Sequence, residues 1–208
     1  MKHPVYFFTG VDNGVGKTLG ASIFAKAVHG AYWKPIYAGS KTGADEEEIA
    51  AMFPEIKILP SRYVFPEAVS TYAAARNAGI QIHIDQLHLP AYDGPIVIEG
   101  SGGLLSPINS RDRMVDLALH FDARIILVTR HYPGSINHTL LALEYLRLRQ
   151  IPLEWLIVNG DPLGSTEEFM LSHPIVKHWF RIPTFNQLNA LRLSQVVEHL
   201  RKKIELSE

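Results

Sequence analysis

Short apolar runs alternate along the chain with stretches of helical period. The runs are Val5 to Phe8, Tyr32 to Tyr37, Ile96 to Ile98, Ile125 to Val128 and Leu153 to Val158, each carrying β-branched or aromatic residues and each of strand length. Between them lie helical patterns over Leu19 to His29, Asp45 to Met52, Arg111 to His120 and Ile136 to Arg149. In the last of these, Leu140, Leu141, Leu143, Tyr145, Leu146 and Leu148 predict a broad apolar face. Strands that are apolar on both faces and alternate with helices predict a parallel sheet covered on each side. The expected fold is α/β, a three-layer α/β/α arrangement around a mainly parallel central sheet. The segment from Ile56 to Leu89 is less regular and predicts one helix, Val69 to Ala78. Residues 188–205 predict an amphipathic helix with Leu191, Val196, Val197, Leu200 and Ile204 toward the body and Arg201-Lys202-Lys203 at its favourable C-terminal end. No repeat, low-complexity tract or linker divides the chain, which reads as one domain over residues 1–208.

The first run leads into Thr9-Gly10-Val11-Asp12-Asn13-Gly14-Val15-Gly16-Lys17-Thr18, and a helix follows. Strand, glycine loop and helix in that order gather backbone N–H groups and a positive helix end around one point, a site for a polyphosphate. Gly14, Val15, Gly16 and Leu19 would supply the loop and first-turn amides, Lys17 would reach the outer phosphates, and the Thr18 hydroxyl would ligate Mg2+. The usual spacing is G-x-x-x-x-G-K-[ST], and Val11 stands where its first glycine belongs, with Gly10 one residue early. The plain alternative is a glycine turn with a solvated Lys17. The flanking strand and helix favour the nucleotide reading, so the fold expected is P-loop NTPase-like and the ligand a nucleoside triphosphate, ATP by default.

Ligands of parallel sheets sit beyond the carboxyl ends of the strands, which directs attention to the residues after each run. Glu99-Gly100-Ser101-Gly102-Gly103 places a carboxylate, able to hold Mg2+, before glycines that allow close backbone approach. The alternative is a strand-ending turn with an exposed Glu. Lys34, before Pro35, either meets an anion or snorkels to water. Asp45-Glu46-Glu47-Glu48 opens a helix, where acids are ordinary dipole partners; Asp45 is the one favoured as a third magnesium ligand or as a group that supports the ligands from behind. Gly134-Ser135-Ile136-Asn137-His138 starts a long helix whose free N–H groups suit a carboxylate or phosphate, with His138 read as structural rather than as a base. Asn159, before Gly160-Asp161, presents a donor and an acceptor that fit an adenine edge, and equally fits a plain Asn-Gly turn.

Composition narrows the classes. A formal net charge of -1 and a pI near 6.8 offer no basic surface for nucleic acid. The absence of cysteine excludes disulfides, thiolate catalysis and cysteine-held metals. His83 and His88, like His173 and His178, are five apart and do not form the i, i+4 pair of a helical zinc site. No G-x-S-x-G elbow is present. No run approaches the ~18 apolar residues that span a bilayer, and Met1-Lys2-His3 runs straight into a strand, so a cytoplasmic protein is expected.

Taken together, Thr9 to Asp12, Gly16-Lys17-Thr18, Lys34-Pro35, Glu99 to Gly103, Gly134 to His138 and Asn159 resemble the dethiobiotin synthetase family, in family order from Tyr6 to about Pro183. The phosphate loop longer by one residue is itself a trait of that family. The resemblance implies ATP- and Mg2+-dependent ring closure of 7,8-diaminononanoate with CO2, supplied as bicarbonate. It implies that Lys17 and Lys34 stabilise transferring oxygens, that Thr18, Asp45 and Glu99 hold Mg2+, and that Asn159 reads adenine with Pro183, Thr184 and Phe185 around the base. It also implies substrate contacts from Ala38, Ser101 and Gly102, and a homodimer in which Gly134, Ser135 and Asn137 bind the substrate carboxylate across the interface. Gly14 stands where an acid is common, Ala38 stands where a Ser or Thr is usual, with Ser40 as a conceivable substitute, and residues 68–72 match the family segment only in part.

Three rival readings remain. A cobyrinate-synthase-like amidating enzyme needs a glutaminase, and no cysteine nucleophile is present. A ParA- or MinD-like switch carries a lysine early in the phosphate loop, where this chain has Val11, Asp12 and Asn13. A degenerate binding protein would not be expected to keep Lys17, Thr18, Lys34 and Glu99.

Overall fold

The apolar runs become strands whose successive side chains feed two separate cores. The computed structural model describes residues 3–39, 44–185 and 189–207. Strand β1 (Val5–Gly10) sends Val5 and Phe7 into one core and Tyr6 and Phe8 into the other, as the twofold period of a strand requires. The other strands are β2 (Ala31–Trp33), β3 (Ile36–Ala38), β4 (Ile58–Leu59), β5 (Tyr63–Phe65), β6 (Ile96–Gly103), β7 (Arg124–Arg130), β8 (Leu153–Asn159) and β9 (Trp179–Ile182). Seven of them form one sheet in the order β4-β2-β6-β1-β7-β8-β9, with every neighbouring pair parallel.

Helices cover both faces. On one lie α1 (Lys17–Ala27), α2 (Ala44–Met52) and α7 (Ala190–Glu205), packed on Tyr6, Phe8, Val97 and Ile157. On the other lie α3 (Thr71–Asn77), α4 (Met114–His120), α5 (Ser135–Leu148) and the short α6 (Glu168–Leu171), packed on Phe7, Ile98, Leu127 and Val158. This is the three-layer architecture expected from the alternation. Arg201 of α7 ties two helices together by donating to the Ala27 (3.1 Å) and Lys26 carbonyls at the C-terminal end of α1. Its role is thus to cap a neighbouring helix as well as to favour its own dipole.

Four details differ from the sequence reading. The run from Tyr32 to Tyr37 is not one strand: Pro35 interrupts it, and β2 belongs to the main sheet whereas β3 pairs with β5 in a separate two-stranded sheet. The chain between β4 and β5 jogs in the same way at Pro60, and the two jogs hold each other. Arg62 and Tyr63 donate their N–H groups to the Pro35 carbonyl, and the Trp33 indole donates to the Pro60 carbonyl at 3.0 Å. Helix α4 begins at Met114 rather than Arg111, because the Asn109 side chain takes the N–H groups of Arg111 and Asp112 into a loop of its own. On α5 only Leu143 and Leu146 of the predicted face are fully buried, and Leu141 and Leu148 are exposed. On α7, Leu191 faces solvent and Leu193 takes the core position beside Val197 and Leu200.

That last assignment yields a stability test. Leu193→Ala should cost about 2–4 kcal/mol by urea denaturation, whereas Leu191→Ala should stay within about 0.5 kcal/mol of the parent. A larger loss from Leu191 would mean that the helix presents its other face to the sheet.

Candidate nucleotide site

Register explains why residues far apart in sequence meet. Phe8 of β1 pairs with Glu99 of β6, and Trp33 of β2 pairs with Ile98, so Lys34 is level with Glu99. Tyr32 and Lys34 share a face by alternation, as do Val97 and Glu99. Farther across, Arg130 of β7 pairs with Asn159 of β8, which pairs with Ile182 of β9. Six strands therefore deliver Gly10, Lys34, Glu99, Arg130, Asn159 and Pro183 at or just beyond one edge of the sheet.

The loop after β1 is shaped by glycine at defined points. Gly16 is the N-cap of α1 with φ +91°, and a Cβ there would lie 2.1 Å from the Asn159 amide nitrogen. Gly10 has no room for a side chain either, with Asp12 O 2.7 Å from a virtual Cβ. No side chain caps α1, so its first N–H groups are open to an anion. Two side chains from other strands grip the loop's outward carbonyls. Asn159 donates to Val15 O at 3.0 Å and Arg130 donates to Gly14 O at 2.9 Å. Lys17 folds back to donate to Asp12 O at 3.0 Å. Burial lowers its affinity for the proton, and Glu99 only partly offsets that.

Glu99 is the hub of the other half. It is 2% exposed and accepts from Tyr32 (2.8 Å), Lys34 (3.0 Å) and Thr18 (3.2 Å). Lys34 also donates to Asp45 at 2.5 Å. Burial alone would lower the Lys34 pKa, but Glu99 and Asp45 together raise it above the ordinary lysine value. Burial, reinforced by Glu99, likewise holds the Tyr32 phenol well above its usual range. A cavity of about 680 Å³ opens above this array, and Gly14, Gly16, Lys17, Thr18, Leu19, Lys34, Ala38, Glu99, Ser101 and Gly102 all line it. The Ser101 hydroxyl is already donating to Ile36 O at 2.7 Å. Val15 is buried beneath the loop, and Asp45 reaches the site through Lys34.

Other expected residues lie elsewhere. Pro183, Thr184 and Phe185 line a separate groove of about 420 Å³ with Arg192, Gln195 and His199 of α7. Gly134 is a left-handed N-cap at φ +92°, Asn137 is exposed, and the buried Ser135 hydroxyl accepts the Tyr132 N–H at 3.3 Å. None of those three lines the main cavity of its own chain. His138 pairs with the Tyr132 hydroxyl at 2.9 Å. Ser40 lies outside the described residues. Sequence reasoning passed over Tyr32, Arg130 and Glu48. Tyr32 was detectable two residues before Lys34 on the same face, and Glu48 one helical turn after Asp45. Glu48 lines the cavity, and burial followed by repulsion from Asp45 raises its pKa.

A phosphate loop, a buried carboxylate and two lysines around one cavity suit transfer of a phosphoryl group. The chain matches the AAA domain family over residues 5–193. It is 41% identical over 155 residues to the ATP-dependent dethiobiotin synthetase of Paramagnetospirillum magneticum, an alignment that covers 74% of this chain and 76% of that one. It is 39% identical over 170 residues to that of Cytophaga hutchinsonii, with 81% and 82% covered. The chain belongs to the ATP-dependent dethiobiotin synthetase family. A third member, from Rhodopseudomonas palustris, is 35% identical over 184 residues, with 88% and 86% covered. The family places the chain among ATP-dependent ligases that form carbon–nitrogen bonds. Two plasmid partition protein structures from Borrelia burgdorferi, one bound to AMPPNP, align with a TM-score of 0.54, at 13% identity and over 98% of this chain. At that identity the likeness is one of fold, the P-loop NTPase architecture. The likeness to the plasmid partition proteins is thus one of architecture, whereas the sequence relatives reported above are synthetases.

The Gly16 geometry makes a direct prediction. Gly16→Ala should weaken ATP binding at least about tenfold by calorimetry, since a left-handed alanine costs ~1–2 kcal/mol and the Asn159 amide must also move. Unchanged binding would mean that the loop does not hold the phosphates in this conformation.

Proposed function

We propose that this chain closes the cyclic urea of dethiobiotin from 7,8-diaminononanoate, CO2 and ATP, with Mg2+ as the metal and residues 1–208 acting as one domain. The observation that carries the reading is the Thr18–Glu99–Lys34–Asp45 array set beside the phosphate loop under one cavity. One substrate amine adds to CO2 and loses a proton, giving a carbamate. A carbamate oxygen takes the γ-phosphoryl group of ATP and releases ADP. The second amine then attacks the carbonyl, phosphate leaves, and the ring closes. Every species in the sequence is a small anion or generates one, so positioning and charge neutralisation are the protein's contribution.

Lys17 sits at the loop with its carboxylate partners only partly offsetting burial, so it is suited to the outer phosphates. Lys34, charged throughout the working pH range, is suited to the carbamate and the transferring phosphoryl oxygens. The donor set of Thr18, Glu99 and Asp45 is all oxygen and carries two carboxylates, which fits Mg2+ and does not fit softer metals. Mg2+ bound there would neutralise phosphate charge. Ala38, Ser101 and Gly102 would form the wall facing the diamine, and Asn159 with Pro183, Thr184 and Phe185 would hold the base. Such an enzyme works where ATP and bicarbonate are supplied, in the cytoplasm, on small molecules rather than on nucleic acid or membrane.

A homodimer completes the reading. Leu141 is 61% and Leu148 70% exposed, two turns apart on α5, the helix whose N-terminus carries Gly134, Ser135 and Asn137. An apolar stripe on that helix supports a partner docked there, which would bring those residues to the neighbouring cavity as the carboxylate site. Leu141→Glu should therefore shift the protein toward monomer in light scattering and weaken diamine binding more than ATP binding. A variant that stays dimeric would place the interface elsewhere.

The activity itself is tested with ATP, Mg2+, bicarbonate and 7,8-diaminononanoate, reading the cyclic urea by mass spectrometry. Product is expected from the parent and at least about 100-fold less from Lys34→Gln. The same variant should lose about 3–5 kcal/mol of stability, because Glu99 is left buried without its cation. Added Mg2+ should raise its melting temperature more than that of the parent. A folded parent that makes no product would overturn the synthetase reading.

A further inference from the structure

A second buried carboxylate, Glu167, stands outside the catalytic array. Glu167 is 5% exposed and follows β8 in a short turn. It accepts from His131 Nε2 at 3.0 Å and from the Arg181 guanidinium at 2.5 Å. Arg181 uses its other terminal nitrogen to donate to Gly160 O at 2.9 Å. Gly160 directly follows Asn159, has φ +115°, and donates its own N–H to Ile182 O at 2.8 Å. The turn is therefore held from both sides, and the Asn159 side chain leaves it to hold Val15 O of the phosphate loop. Arg130, which holds Gly14 O, is the residue before His131.

These contacts form a chain that joins the ends of β7, β8 and β9 to the phosphate loop. Merely anchoring the turn would be done as well by apolar side chains, because burying charges carries a desolvation cost that pairing only repays. The His131 ring stands in this chain although its Nδ1 is buried without a hydrogen-bond partner among the described residues. Glu167 accepts from both neighbours, which orients the guanidinium plane and so aims it at one carbonyl.

We propose that His131, Glu167 and Arg181 are positioning residues that set the Asn159–Gly160 turn for recognition of the nucleotide base. The inference rests on the reading that this turn and the Pro183–Phe185 segment face the base. Glu167 touches no phosphate-loop atom and reaches that loop only through Asn159, so its influence falls on the base more than on the triphosphate.

The test compares Glu167→Gln, Arg181→Lys and Asn159→Ala in steady-state assays with ATP and GTP, and with inorganic tripolyphosphate as a competing inhibitor that has no base. Glu167→Gln and Arg181→Lys should each raise KM for ATP about tenfold, leave kcat within about twofold and narrow the preference for ATP over GTP. Inhibition by tripolyphosphate should change by less than about twofold, far less than KM for ATP. The effects of Glu167→Gln and Asn159→Ala on KM should be strongly non-additive in the double variant. If tripolyphosphate and ATP weaken together, or KM and kcat change alike, the trio is a structural brace and the proposal falls. If Asn159→Ala raises KM and neither Glu167→Gln nor Arg181→Lys does, the proposal falls while the base reading stands. An Asn159→Ala variant with unaltered KM removes the base reading beneath it.

Discussion

The charge of Glu99 must be balanced inside the protein, and much of the site follows from that constraint. A carboxylate this deeply buried is tolerable only with donors on its oxygens. Here three donors come from two elements: Tyr32 and Lys34 at the end of β2, and Thr18 in the first turn of α1. Lys34 in turn reaches Asp45, which draws the first turn of α2 toward the sheet. One buried charge thus fixes the relative positions of a strand end, the nucleotide helix and the acidic helix. Those are the parts that phosphoryl transfer needs in register.

The sheet imposes a second order on the same edge. Because every pairing in the main sheet is parallel, all the strand ends that carry functional side chains lie on one side, and the crossovers return the chain to the other. The two buried carboxylates among the described residues, Glu99 and Glu167, both sit beyond the middle of this edge, one on each side of β1. Each is paired with a base and each secures a different loop. Hydrogen bonds hold the phosphate loop and its helix from both flanks, between Thr18 and Glu99 on one side and from Arg130 and Asn159 on the other.

Much of this was readable from the chain. Alternation of apolar runs with helical periods implied a covered parallel sheet, and the Gly14 to Thr18 spacing with its flanking strand and helix marked the loop. What eluded sequence reading has physical causes. Strands β4 and β5 are two and three residues long, too short for any period to register, and are defined by their pairing with β2 and β3. The split at Pro35 is a tertiary choice, fixed only when Arg62 and Tyr63 donate to its carbonyl. On α7 the helical period itself places Leu193, rather than Leu191, on the face of Val197, Leu200 and Ile204, and on α5 the leucines extend farther round the helix than the sheet covers. The Glu167 chain left no local signal at all, since its successive members are 36 and 14 residues apart and acquire meaning only through the sheet order.

The two lysines of the cavity illustrate how one site can keep two cations in opposite conditions. Lys17 and Lys34 both lose hydration on burial, and each repels the other. Lys34 is compensated beyond that loss by Glu99 and Asp45, and its proton is held more firmly than in water. Lys17 is compensated short of it, with a main-chain carbonyl as its hydrogen-bond partner. Negative charge brought into the cavity therefore gains most beside Lys17, where it relieves an existing deficit, and gains less beside Lys34, whose partners must first be shared. The arrangement ranks the two positions for an incoming anion before any ligand arrives. On the function proposed above, a triphosphate would settle on the loop through Lys17, and Lys34 would stay held by its carboxylates until a second anion competed for it.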